Sequence, residues 1–228
     1  VTAVIDAATG VVSTRAIKVV VMRAGAVVAL LAGAAACTVA SHAASTAHVV
    51  GVLAKYSPER LAAGRVWTVP LSAFLLGHPR MVGPTSFFVV FLFLPYALWR
   101  GIGRAGVVAM AGHVVSTLVV AAIVLPAAAL GVAGASGISH ALDYGASAAL
   151  AACAGALAVA IGRRVPVLGA AVLGAVAAWF LFHLAAVSNP SVNVADVEHL
   201  LALGTGALVE WRLSMARRPA VPRSGPRA

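Results

Sequence analysis

Apolar residues gather into six long runs. They extend from Ala24 to Ala40, from Phe87 to Trp99 (lengthened backwards through Pro84-Thr85-Ser86), from Ala105 to Leu125 before Pro126, and from Ala141 to Ile161 before Gly162-Arg163-Arg164. The last two are Val167 to Val187, before Ser188-Asn189-Pro190, and Val197 to Leu213, which leads into a basic tail. Within a run, apolar residues occupy every face of a helix, so no polar side is left for water. Most runs approach the ~20 residues that cross hydrocarbon, and the second and sixth borrow flanking residues. Ten-residue segments alternating apolar and polar, the mark of a membrane barrel, do not occur.

Composition sharpens this reading. The chain is 62% hydrophobic and 10% charged, with mean hydropathy +1.02, whereas soluble domains carry about 25% charged residues. The apolar content is chiefly Ala, Val, Leu and Gly, which lets helices approach closely in a bilayer. These features predict an all-α polytopic membrane protein of six transmembrane helices, placed in the cell (plasma) membrane as a multi-pass protein with lipid as its main contact. Spans are expected at about 24–40, 84–99, 105–125, 141–161, 167–187 and 197–213. Residues 1–23 would be an N-terminal cytoplasmic segment, 24–213 the membrane domain with an outer loop at 41–83, and 214–228 a disordered basic tail.

Charge sets the orientation. With both termini cytoplasmic, twelve of the sixteen Lys and Arg residues lie inside and four lie outside: Lys55, Arg60, Arg65 and Arg80. That bias follows the positive-inside rule. The net charge of +10 is therefore assigned to membrane flanks, and no nucleic-acid partner is expected, since no basic face or stacking platform accompanies it. The first run also fits a cleavable secretory signal, with Arg23 before it and Ala43-Ala44 after it. Val69 to Gly77 is too short to span and carries Trp67 near one end, which suggests a segment lying in the outer interface. Cys37 and Cys153 sit inside apolar runs and read as small buried hydrophobes.

Polar groups inside apolar runs carry the functional information, because each costs free energy unless paired or wet. The fourth run opens with His140-Ala141-Leu142-Asp143-Tyr144-Gly145-Ala146-Ser147-Ala148, and the sixth with Asp196-Val197-Glu198-His199. At 1.5 Å per residue Ser147 would sit ~7 Å and His199 ~4 Å below the outer face, so the two could share a depth. A serine hydroxyl needs a neighbouring base to become nucleophilic, and neutral histidine is the usual one. The same residues allow a plainer reading, with Ser147 bonded to its own helix backbone and His199 facing water beside Glu198 or Asp196.

The motif Gly145-Ala146-Ser147-Ala148, with His199 followed by Ala202 and Gly206, resembles the rhomboid intramembrane serine proteases and their catalytically inert relatives. Gly64-Arg65-Val66-Trp67-Thr68, leading to Phe74-Leu75-Leu76-Gly77-His78, looks like that family's Trp-Arg stretch before the second helix. The resemblance covers roughly residues 60–213. It implies a rhomboid-like bundle, a Ser147–His199 catalytic dyad, no cofactor and no metal, and substrates or clients that are transmembrane segments of other proteins. It also implies a lateral gate on the fifth span, with Trp179, Phe180 and Phe182. Gly145 and Ala148 occupy motif positions, with Ala148 standing where the family has glycine. Residues 81–87 lack the His and Asn that the family uses to stabilise an oxyanion, and His78 is the nearest polar candidate. The aromatic residue expected four positions after the serine is Ala151.

Two further functions stay open: an inactive relative that binds transmembrane helices, and a small transporter, which would need paired charges near the midplane. His113, Ser116 and His183 are expected to bond across helices, and the His140/Asp143 pair to mark a helix start. No His/Cys/Asp/Glu set has metal-ligand spacing.

Overall fold

The computed structural model describes residues 14–42, 53–75, 82–141 and 146–216. Most of those residues are helical, and there is no strand among them. In chain order the helices are α1 (Thr14–His42), α2 (Pro58–Ala62), α3 (Thr68–Ser72), α4 (Val82–Phe88), α5 (Leu94–Arg100), α6 (Ile102–Ala129), α7 (Ala135–His140), α8 (Ala146–Gly162), α9 (Pro166–Ala186) and α10 (Pro190–Met215). A π-helical stretch, Val89–Phe93, joins α4 to α5.

Three helical segments are long and apolar enough to cross a membrane: Ile102–Ala129, Pro166–Ala186 and Val192–Met215. Two shorter apolar helices, Thr85–Arg100 and Ala146–Gly162, accompany them. α9 is apolar yet lies almost wholly at the surface, with Val167 81%, Trp179 61% and Phe182 70% exposed. Water solvates such a face poorly and hydrocarbon solvates it well.

Local sequence accounts for the irregularities. Pro95 has no N–H to give the preceding turn and its ring crowds the carbonyl four residues back. The wider π turn at Val89–Phe93 absorbs that mismatch without ending the rod. α6 runs one turn past the stop expected at Pro126. Near a helix end a proline removes a single backbone bond, and the chain turns away afterwards at Gly131, whose φ is +72°. The short helix α7 closes at His140, just ahead of the fourth run, and α8 begins within that run at Ala146. Asp143, expected beside His140, lies outside the described residues. The Val69 to Gly77 stretch holds α3, which packs against α6. There His113 Nε2 donates to the Val69 carbonyl at 2.8 Å and lies 3.1 Å from Ser72 Oγ.

α8 is the centre of the bundle. From Leu150 to Ala158 every residue is buried, and its principal partners are α10, α6 and α9. Glycine sets the separation. A Cβ on Gly206 would stand 1.9 Å from the Ala152 carbonyl oxygen, one on Gly155 2.0 Å from that of Leu203, and one on Gly112 2.1 Å from the Ala152 Cβ. Thus α8 and α10 touch backbone to backbone, and α6 closes on them across Gly112. Such approach maximises dispersion contact where lipid supplies no hydrophobic drive between helices.

A buried ion cluster ties the other end. Glu210 is fully buried and contacts both Arg100 and Arg104, whose Nε atoms donate at 2.8 and 2.7 Å. Tyr96 and Ser214 hydroxyls also donate to its carboxylate. One acid thereby joins α5, α6 and α10, with every oxygen satisfied.

Two stability outcomes follow from these contacts. Gly206→Ala should destabilise the fold by about 1–3 kcal/mol through overpacking, whereas Gly204→Ala, with nothing within 4 Å of its Cβ position, should cost nothing measurable. Glu210→Ala leaves the Arg104 side chain, only 6% exposed, without its carboxylate and should cost about 3–5 kcal/mol. Unfolding by steric trapping in bicelles measures all three.

Candidate functional site

Parallel packing of α8 and α10 brings their starts to one end of the bundle. Ser147 lies in the first turn of α8, exposed, and His199 lies about 14 Å along α10 from Pro190. His199 Nε2 and Ser147 Oγ stand 2.7 Å apart. With the ring proton on Nδ1, the hydroxyl donates to Nε2. The His199 side chain is 16% exposed, so the pair sits at the rim of the packed core and remains open to an incoming group.

The backbone contacts below the pair hold it in register. Ala202 and Gly206 continue the His199 face one and two turns on. Ala202 is fully buried, with its carbonyl beside Gly112, and Gly206 meets Ala152. A bulkier residue at either position would push His199 away from Ser147. Ala148 is 2% exposed and belongs to the core beside the serine. Gly145 and His78 lie outside the described residues.

The aromatic support for the histidine comes from α9. Phe180 stacks on the His199 ring with centroids 4.8 Å apart and planes inclined by 20°. Ala151, the position expected to supply an aromatic ring, is buried in the core instead. In sequence Phe180 is one of several bulky residues on an apolar run, and only the packing of α9 on α10 selects it.

A carboxylate completes the surroundings. Asp196, 4% exposed, points Oδ2 at His183 Nδ1 across 2.7 Å, while its Oδ1 lies 3.9 Å from His199 Nδ1. That second separation is too long for a hydrogen bond, and it leaves the Asp196 carboxylate on the Nδ1 side of the His199 ring. His183 in turn stacks on Trp179 with ring planes 16° apart. Asp196 thus stands between two histidines, one on α9 and one on α10. The link between α9 and α10 agrees with the expectation that His183 bonds across helices. The next acid along α10, Glu198, accepts from Thr117 Oγ1 at 2.6 Å and ties α10 to α6. Ser116 bonds within its own helix, to the His113 carbonyl, and not across helices as expected.

A hydroxyl hydrogen-bonded to an imidazole, with a carboxylate behind the ring, can make an oxygen nucleophile by general-base catalysis. No family model, curated protein or solved structure matches the chain.

Asp196→Ala should release the end of α9 from α10. Amide hydrogen exchange at residues 179–187 should then quicken by about tenfold, the loss of one charge-assisted hydrogen bond, while core amides of α8 keep their protection. Unchanged exchange in 179–187 would show that this link does not hold α9.

Proposed function

We propose that the chain is a rhomboid-like integral membrane protein of six transmembrane helices with both termini cytoplasmic, acting as an intramembrane serine endopeptidase. The observation that carries the reading is the 2.7 Å approach of Ser147 Oγ to His199 Nε2, made by two helices 52 residues apart in sequence. The sequence supports the orientation: read as six spans with both termini inside, twelve of the sixteen basic residues fall in cytoplasmic segments.

On this reading Ser147 attacks the carbonyl carbon of a peptide bond in a membrane-spanning substrate. His199 accepts the hydroxyl proton as the oxygen–carbon bond forms, then returns it to the leaving amine as the acyl-enzyme is left. Water repeats the sequence in reverse and frees the serine. Phe180 keeps the imidazole facing Ser147, and Asp196 stabilises its positive charge. Substrate would enter sideways past α9, whose exposed apolar face matches a transmembrane helix.

A second reading keeps the bundle without the chemistry: an inert relative that holds transmembrane helices of client proteins. Ala148 favours it, since a buried methyl stands where the resembled family keeps glycine beside the nucleophile.

A serine-reactive fluorophosphonate separates the two. The protease reading predicts labelling of the purified protein that is abolished in Ser147→Ala and reduced by at least a hundredfold in His199→Ala, the loss of the activating base. Equal labelling of wild type and Ser147→Ala would discard the protease reading, and client helices that co-purify equally with both would support the second.

A further inference from the structure

At the end of the bundle opposite Ser147, the turn joining α8 to α9 combines an apolar groove with a pair of arginines. Gly162 and Gly169 meet there so closely that a Cβ on Gly169 would lie 2.3 Å from the Gly162 Cα. With no side chains to fill the crossing, a cavity of about 290 Å³ remains between the helices, walled by Val159, Ala170 and Leu173 and ending at Arg163. Arg163 is the one charged residue that lines it; the others are Ala, Val, Leu and Gly.

Arg163 and Arg164 are both exposed, and the Arg164 guanidinium lies 4.8 Å above the Trp99 ring. Arg23 approaches the same helix end, donating to the Leu98 carbonyl at 2.6 Å. The four carboxylates among the described residues are engaged elsewhere: Glu59 with His140, Asp196 with His183, Glu198 with Thr117, and Glu210 with Arg100 and Arg104. Among the described residues, therefore, no acid neutralises Arg163 or Arg164. A tryptophan beside them suits the boundary between hydrocarbon and headgroups. The groove is apolar where an acyl chain would lie and cationic where a phosphate would sit.

We propose that this groove binds one anionic phospholipid, with an acyl chain between α8 and α9 and its phosphodiester on Arg163 and Arg164. Guanidinium groups match phosphate oxygens by paired hydrogen bonds, and basic clefts between helices are suited to anionic headgroups. A transmembrane helix of another protein or a second copy of this chain could use the small-residue crossing, but neither accounts for Arg163 at its edge and Arg164 next to it, both without a carboxylate partner among the described residues. The site depends on the chain being embedded in a membrane and is independent of whether Ser147 is reactive.

The test is native mass spectrometry of the full chain released from detergent micelles, titrated with phosphatidylglycerol, with phosphatidylcholine of the same chains, and with sn-glycerol 3-phosphate. The proposal predicts one phosphatidylglycerol retained at least tenfold more tightly than phosphatidylcholine. Arg163→Gln with Arg164→Gln, both surface changes, should erase that preference. Ala170→Phe, which fills the groove, should weaken retention of both lipids, with folding checked by fluorophosphonate-independent circular dichroism. Equal retention of the two lipids by wild type overturns the proposal, as does phosphatidylglycerol retention unaffected by the arginine changes. Binding of glycerol phosphate as tight as that of the lipid would mark a soluble-phosphate site and overturn it. So would a retained second copy of the chain in place of lipid.

Discussion

Backbone contact between α8 and α10 is the constraint on which the rest of the molecule depends. Gly155 rests against the Leu203 carbonyl and Gly206 against that of Ala152, leaving no room for side chains between the two helices. Two rods held at that separation, running the same way, must carry their early residues into contact. Ser147 and His199 are those residues. Gly112 seats α6 on the same junction, and α9 lies against its side, where Phe180 reaches the His199 ring. Small residues in the interior and one stacked aromatic at the rim together define a hydroxyl–imidazole pair that neither helix could hold alone.

Polar chemistry divides between the two ends of this apolar column. At one end His199, Asp196 and His183 form a chain of ionisable groups that stays partly open, which suits reactivity. At the other, Glu210 is closed in by two arginines, a tyrosine and a serine, which suits anchoring. The difference is one of satisfaction: the Glu210 carboxylate is covered from every side, whereas the Ser147 hydroxyl is exposed beside its partner. Transport would call for paired charges midway along the column, and the ion cluster on α10 instead lies in its last turns.

Much of this was legible in the sequence, for identifiable reasons. Apolar runs without a polar face mark helices long and apolar enough to cross a membrane, and the ends of two runs were marked by Gly162-Arg163-Arg164 and Ser188-Asn189-Pro190. The pairing of Ser147 with His199 was legible because each is a polar residue near the same end of an apolar run. Contacts that depend on helix rotation were not. Phe180 is indistinguishable from Trp179 or Phe182 until α9 is docked, and Asp196 reads as an ordinary helix-start acid until His183 is brought to it. The cluster around Glu210 was not legible for a related reason: its arginine partners lie more than a hundred residues away, on helices whose mutual rotation no local pattern records. The short helix α7 went unread because Ala135–His140 is too brief and too mixed in character to show an apolar face in sequence.

The central claim concerns a distance between two atoms, and dipolar recoupling by solid-state NMR measures it. With carbon-13 at Ser147 Cβ and nitrogen-15 at His199 Nε2 in lipid-reconstituted protein, the account predicts a separation of about 4 Å, one bond beyond hydrogen-bond reach. A separation beyond about 6 Å, too far for any hydrogen bond between the groups, would contradict it.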